Sequence, residues 1–183
     1  DAVLAYDDKT PRLGADGEPV TTWDGRTTKL NPTTGREVPD TTAKKSVYDY
    51  ENARPAEWPE ADFIVGNPPF TGGWKLRDEQ GDGYVEALWA AYPHMPQKAD
   101  FVMYWWDRAA DVVRQGATER FGLITTNSAS QVFQQRVIQA HIDAKKDPLR
   151  LVFAVADHPW VDDVYAAAVR VAMTVGEAAD EAV

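Results

Sequence analysis

Asn67-Pro68-Pro69-Phe70 stands out for its residue types, set at the end of the apolar run Phe63-Ile64-Val65-Gly66. Successive prolines hold φ near about −65° and remove N–H donors. Such a stiff loop offers acceptors: the Asn67 side-chain oxygen and the Pro68 carbonyl. Phe70 adds a flat apolar face. The set suits a planar ligand with an exocyclic amino group. The amine would donate to both oxygens while its ring stacks on Phe70. An adenine amine is a poor nucleophile, because its lone pair is conjugated into the ring. Acceptors that fix its hydrogens favour a pyramidal nitrogen, which could attack a methyl donor held in line. Rate would come from positioning and preorganised dipoles, with no side-chain nucleophile. An adenine inside a duplex would first have to flip out, at a cost of roughly a few kcal/mol that stacking partly offsets.

Other residues invite weaker readings. Trp74, Lys75 and Arg77 follow in a stretch with four glycines, residues 71–83. They read either as a lid whose cations touch phosphates or as a solvated loop beside Asp78, Glu79 and Asp82. His158 and Trp160 follow the third strand, as a substrate contact and a pocket wall or as a surface turn. Asn127 and Ser128 could line the same pocket, and Ser128 or Ser130 could cap a helix. His94 and His141 have no metal partners at usable spacing, and without cysteine neither disulfides nor thiolate zinc sites can form. Trp89, Tyr104, Trp105 and Trp106 recur at helical spacing and read as core.

Asn-Pro-Pro is also an ordinary way to end a strand, so the surrounding elements must carry the reading. "ADFIVG" reads as a strand covered on both faces. In "YVEALWAAY", Val85, Leu88, Trp89 and Tyr92 fall at helical spacing before Pro93. In "ADFVMYWWDRAADVVRQG", Asp100, Asp107, Asp111 and Arg114 fall on one side of a helix and Val102, Trp105, Ala109 and Val112 on another. Asp100 reads as its cap and Gly116 as its stop. "RFGLITT" is a second buried strand. A helix with Phe133, Val137, Ile138, His141 and Ile142 inward then runs to Pro148. "LRLVFAVAD" is a third strand. After the turn-rich "DHPW", "AAVRVAMTVG" alternates Val169, Val171, Met173 and Val175 against Arg170, Ala172 and Thr174. The order predicts an α/β fold: a parallel sheet with a reversed last strand.

Residues 1–60 differ, being rich in Thr, Pro, Gly and Asp. They read as an irregular arm of β-hairpins, with "TTWDGRTT" as two strands around an Asp-Gly turn. Residues 177–183 read as an acidic tail. The formal net charge is −10, which argues against a protein that coats nucleic acid but not against local basic contacts. No window approaches a membrane span, and the acidic N-terminus is no signal peptide. A cytoplasmic location is the expectation. The chain opens mid-phrase without Met, as an excised fragment of a longer protein would.

"NPPF" after an apolar strand resembles the signature of amino-directed, S-adenosylmethionine-dependent methyltransferases, above all the adenine-specific DNA enzymes. "ADFVMYWWDRAADVV" followed by "RFGLITTNS" is similar to their helix and next strand. "GNPPFTGG", "YVEALWAAYP" and "VADHPWVDD" resemble the large MmeI-like restriction–modification enzymes. The resemblance implies that residues 61–176 form the C-terminal half of a class I, Rossmann-like methyltransferase domain. It implies that Asn67 and Pro68 hold the target amine, Pro69 stiffens the loop and Phe70 stacks on the base. S-adenosylmethionine would be the cofactor of the intact parent, and DNA its partner. One departure stands out. The Gly-rich turn of that family's cofactor site is absent, and "LGADGEP" has neither a strand before it nor a helix after it. The isolated chain is therefore expected to be inactive. Methyltransferases of protein glutamine or of RNA bases would use the same loop. A non-catalytic α/β scaffold, stable as a homo-oligomer or against a partner, is the other alternative.

Overall fold

A computed structural model of the chain describes residues 1–127, 132–160 and 170–179. They fold as two compact units, residues 1–56 with 74–94, and residues 57–73 with the described residues from 95 onward. The sequence pattern drew one boundary near residue 60. The structure adds that residues 74–94 fold with the first 56.

The first unit is a nested antiparallel ribbon closed by a helix. β1 (Leu4–Ala5) pairs with β8 (Arg54–Pro55), and β2 (Asp8–Pro11) with β7 (Tyr48–Glu51). β3 (Thr21–Trp23) pairs with β6 (Lys44–Ser46), and β4 (Thr28–Leu30) with β5 (Glu37–Pro39). The Asp-Gly turn thus does not join a hairpin, because β3 and β4 pair with other strands. The Asp24 carboxylate instead accepts from the Arg26 and Thr27 N–H groups. α1 (Leu76–Gln80) lies inside the stretch read as a loop, and α2 (Asp82–Ala91) follows. Val85 and Leu88 are fully buried. Tyr92 Oη donates to the Val3 carbonyl at 2.6 Å. A Cβ at Gly83 would lie 1.8 Å from the Tyr48 carbonyl oxygen, so the absence of a side chain there admits the helix.

The second unit holds the sheet. Its elements are β9 (Phe63–Gly66), α3 (Val102–Arg114), β10 (Arg120–Thr126), α4 (Val132–Ile142), β11 (Leu149–Pro159) and β12 (Arg170–Ala178). The strand order is β11-β12-β10-β9. β9 and β10 are parallel, and β12 runs antiparallel to both β10 and β11. β9, β10 and β11 therefore all end at one edge. β11 continues through His158 and Pro159, the stretch read as a turn, with bulges between Leu151 and Phe153 and between Val155 and His158.

α3 packs its apolar side on the sheet. Trp106 is the hub: its Nε1 donates to Thr174 Oγ1 at 3.0 Å, and its ring meets Phe121 edge-on at 5.2 Å. One expectation fails here. Asp107, assigned to the polar side, is buried and paired with His141. Asp100, read as the helix cap, bonds the Gly73 N–H and the Thr126 hydroxyl.

The sheet faces are also reversed from the alternation reading. Ala172, Thr174 and Gly176 are buried toward α3, while Met173 and Val175 stay half-exposed. β9 is an edge strand and is not covered on both faces: Phe63 is 57% and Val65 84% exposed. In α4, Val137, His141 and Gln134 are buried, whereas Phe133, Ile138 and Ile142 are only partly covered.

The expected acidic tail starts too early. Glu177 sits buried inside β12 and accepts from Arg120 Nε and from Arg150 Nε, the latter at 2.7 Å. The remaining tail positions 180–183 lie outside the described residues. Arg150, and then Arg120, hold the Glu177 carboxyl below its ordinary 4.5. A carboxyl held low in the fold stabilises it above the unfolded pKa, and that contribution is lost as pH falls through the folded value. The Tm of the wild-type chain should therefore fall more steeply below 4.5 than that of Glu177→Gln. Equal slopes for the two would show that Glu177 contributes nothing.

Candidate functional site

Strands that share a direction bring their exits to one edge, and ligands of open α/β sheets bind outside the carboxyl ends. β9 ends at Gly66, paired with Leu123 of β10. A Cβ at Gly66 would sit 3.3 Å from the Leu123 side chain, so the strand end packs tightly. Asn67-Pro68-Pro69-Phe70 leaves from there. Pro68 is buried, Asn67 and Pro69 are exposed, and Phe70 is 37% exposed.

The far end of this lip is tied as well. The Thr71 carbonyl accepts from the Phe101 N–H at 2.8 Å. The Gly73 N–H donates to Asp100 Oδ1 at 3.0 Å, and Thr126 Oγ1 donates to Asp100 Oδ2 at 3.3 Å. A Cβ at Gly73 would lie within 2.7 Å of the Lys98 and Ala99 carbonyl oxygens, so this contact admits only glycine. The lip is thus fixed by strand pairing at one end and by polar contacts at the other, and its prolines stiffen the middle. Such an arch can present acceptors and one ring face without rearranging.

The other residues singled out by sequence divide clearly. Thr126 and Asn127 leave the neighbouring strand, about 5 Å to the side. Asn127 bonds Asp157, whose carboxyl is held low first by Arg170 and also by Asn127. His158 is level with Val171 and Thr126. It is exposed, as is Trp160. His158 lies near the end of β11 and Trp160 just beyond it, three strand spacings from β9, or about 14 Å. They share the edge with Asn67 but stand across it. Ser128 and Ser130 lie outside the described residues.

Trp74, Lys75 and Arg77 belong to the first unit. Arg77 pairs with Asp82 at 2.6 Å and lies over the Trp89 ring at 4.8 Å. Lys75 lies over Trp74, which is 80% exposed. His94 packs against Tyr92.

The contacts of Asp100 with the lip and with Thr126 are what sequence reading missed. An Asp before an apolar helix looks like a cap, and its partners lie 27 and 26 residues away. Asp157 and Arg170 were likewise legible only through strand register.

The cofactor implied by the resemblance, S-adenosylmethionine, would need a glycine turn at one of these exits. Among the described residues, none of the three parallel strands leads into a glycine turn and helix N-terminus. Asp157 carries the exit-side carboxylate, and it is committed to Arg170 and Asn127. This chain's described residues therefore lack the glycine turn that would make most contacts to S-adenosylmethionine.

No curated protein matches the chain. Among solved structures, a match is the type IIL restriction–modification enzyme MmeI in complex with DNA. It is 24% identical, with a TM-score of 0.46, over 62% of this chain and 15% of that one. The chain thus spans a small part of that enzyme. The family model of the MmeI DNA-methyltransferase domain matches residues 29–182, which include the lip and every strand of the sheet. On that match, the chain belongs to the MmeI DNA-methyltransferase domain family.

Proposed function

We propose that this chain is the base-holding half of an adenine-specific DNA methyltransferase in a restriction–modification enzyme. One observation carries the reading. The acceptor lip Asn67–Phe70 stands at the carboxyl edge of the sheet with Asn67 and the Phe70 ring open. Membership of a DNA-methyltransferase domain family supports it.

In this reading the target adenine flips out and its ring rests on Phe70. The Asn67 Oδ1 and Pro68 carbonyl each accept one hydrogen of the amine. Pro69 keeps those oxygens from drifting. The donor S-adenosylmethionine supplies the methyl group when bound, and other parts of the intact enzyme make most of its contacts. After transfer, the amine's second proton leaves to water or to a nearby acceptor.

A glutamine side-chain amide could meet the same acceptors, so the test separates the substrates. The intact enzyme is incubated with labelled S-adenosylmethionine and plasmid DNA, and the DNA is digested to nucleosides. Label should appear in N6-methyladenine. Label confined to protein, or to no product, would refute the reading.

A further inference from the structure

We propose that Asp100 is the positioning residue of the lip, a role that rests on the reading of Asn67–Phe70 as an amine-holding site. Asp100 stands two residues before Val102, the buried start of α3, and its carboxylate reaches beyond that helix. One oxygen takes the Gly73 N–H at 3.0 Å and the other takes the Thr126 hydroxyl at 3.3 Å. A single side chain thus links the exit of the lip to the end of the adjacent parallel strand. The neighbouring Phe101 N–H holds the Thr71 carbonyl at 2.8 Å, so two consecutive residues clamp the same loop.

The physical consequence follows from the loop's composition. Pro68 and Pro69 have no N–H, so the lip cannot be held by backbone donors of its own centre. Its position is set at its ends. The strand side is fixed by β-pairing of Gly66 with Leu123. The other side is held by the Phe101 N–H on Thr71 and by the Asp100 carboxylate on Gly73. A displacement of about 1 Å in such a site can cost on the order of 100-fold in rate.

Asp100 acts by geometry, and its charge is not needed at the substrate. Asparagine can replace it, since its oxygen still accepts from Gly73 and its amide N–H₂ donates to Thr126 Oγ1. Alanine cannot.

The test uses the intact enzyme with two readouts. Asp100→Ala should lower kcat for DNA methyl transfer by about 10- to 100-fold, with DNA Kd within about 3-fold. Amide exchange in the peptide containing Phe70–Gly73 should speed up by about 10-fold or more. Asp100→Asn should restore kcat to within about 3-fold and exchange to the wild-type rate. Unchanged exchange in Asp100→Ala overturns the proposal. So does an Asn variant as impaired as Ala with wild-type exchange, since that assigns the work to the charge. If the wild-type enzyme methylates no DNA, the reading of the lip fails, and the exchange data still decide whether Asp100 positions it.

Discussion

Asn67→Ala in the intact enzyme is expected to lower kcat for methyl transfer to adenine by about 100- to 1000-fold, with DNA affinity nearly unchanged. The magnitude is that of removing one preorganised group from a site where charge develops in the transition state. The amine nitrogen passes from planar to pyramidal as it attacks, and its N–H bonds become more acidic as positive charge builds. Fixed acceptors therefore bind the transition state better than the ground state, so the loss falls on kcat. On the proposed reading, DNA affinity would come mainly from phosphate contacts outside the lip. Asn67→Asp keeps acceptor oxygens at the same reach and should retain more activity than the alanine variant. Steady-state methyl transfer with filter binding of DNA checks both. An alanine variant within about 5-fold of wild type would remove Asn67 from the chemistry.

The largest stability effect is expected at the buried His141–Asp107 pair. Arg114 Nη1 contacts His141 Nδ1 at 3.2 Å. A guanidinium can only donate, so Nδ1 accepts and the ring hydrogen sits on Nε2. That N–H donates to Asp107 Oδ1 at 2.8 Å. Both side chains are nearly enclosed, at 5% and 1% exposure. His141→Leu takes a donor from a buried carboxylate, which should cost about 3 kcal/mol. For a chain of this size that lowers Tm by about 6–12 °C. Asp107→Asn keeps an acceptor for Nε2–H and should cost less than half as much. Thermal unfolding monitored by tryptophan fluorescence checks the pair, since Trp106 meets the His141 ring at 5.7 Å. A shift below about 2 °C for His141→Leu would show that the contact adds nothing.

What sequence reveals here is local. The acceptor lip was legible because its parts are consecutive: an apolar strand, an amide, two stiff residues and a ring. Three parallel exits followed from the alternation of strands and helices. The rest depends on contacts between distant residues. Asp107 fits a polar helix stripe by periodicity, and its burial becomes tolerable through contacts such as that with His141, 34 residues away. Thr21–Trp23 and Thr28–Leu30 look like one hairpin, yet each pairs further along a nested ribbon. Residues 74–94 follow the lip in sequence but fold with the arm, where Gly83 lets α2 reach Tyr48. The apolar run of β9 promised two covered faces. In the described residues one stays open at Phe63 and Val65.

The most direct test is a crystal structure of the intact enzyme with its DNA substrate and a non-reactive cofactor analogue. The expected result is an extrahelical adenine stacked on Phe70, its amine about 2.7–3.2 Å from both Asn67 Oδ1 and the Pro68 carbonyl. An adenine still stacked in the duplex, or flipped with its amine facing any other group, would contradict the role assigned to the lip.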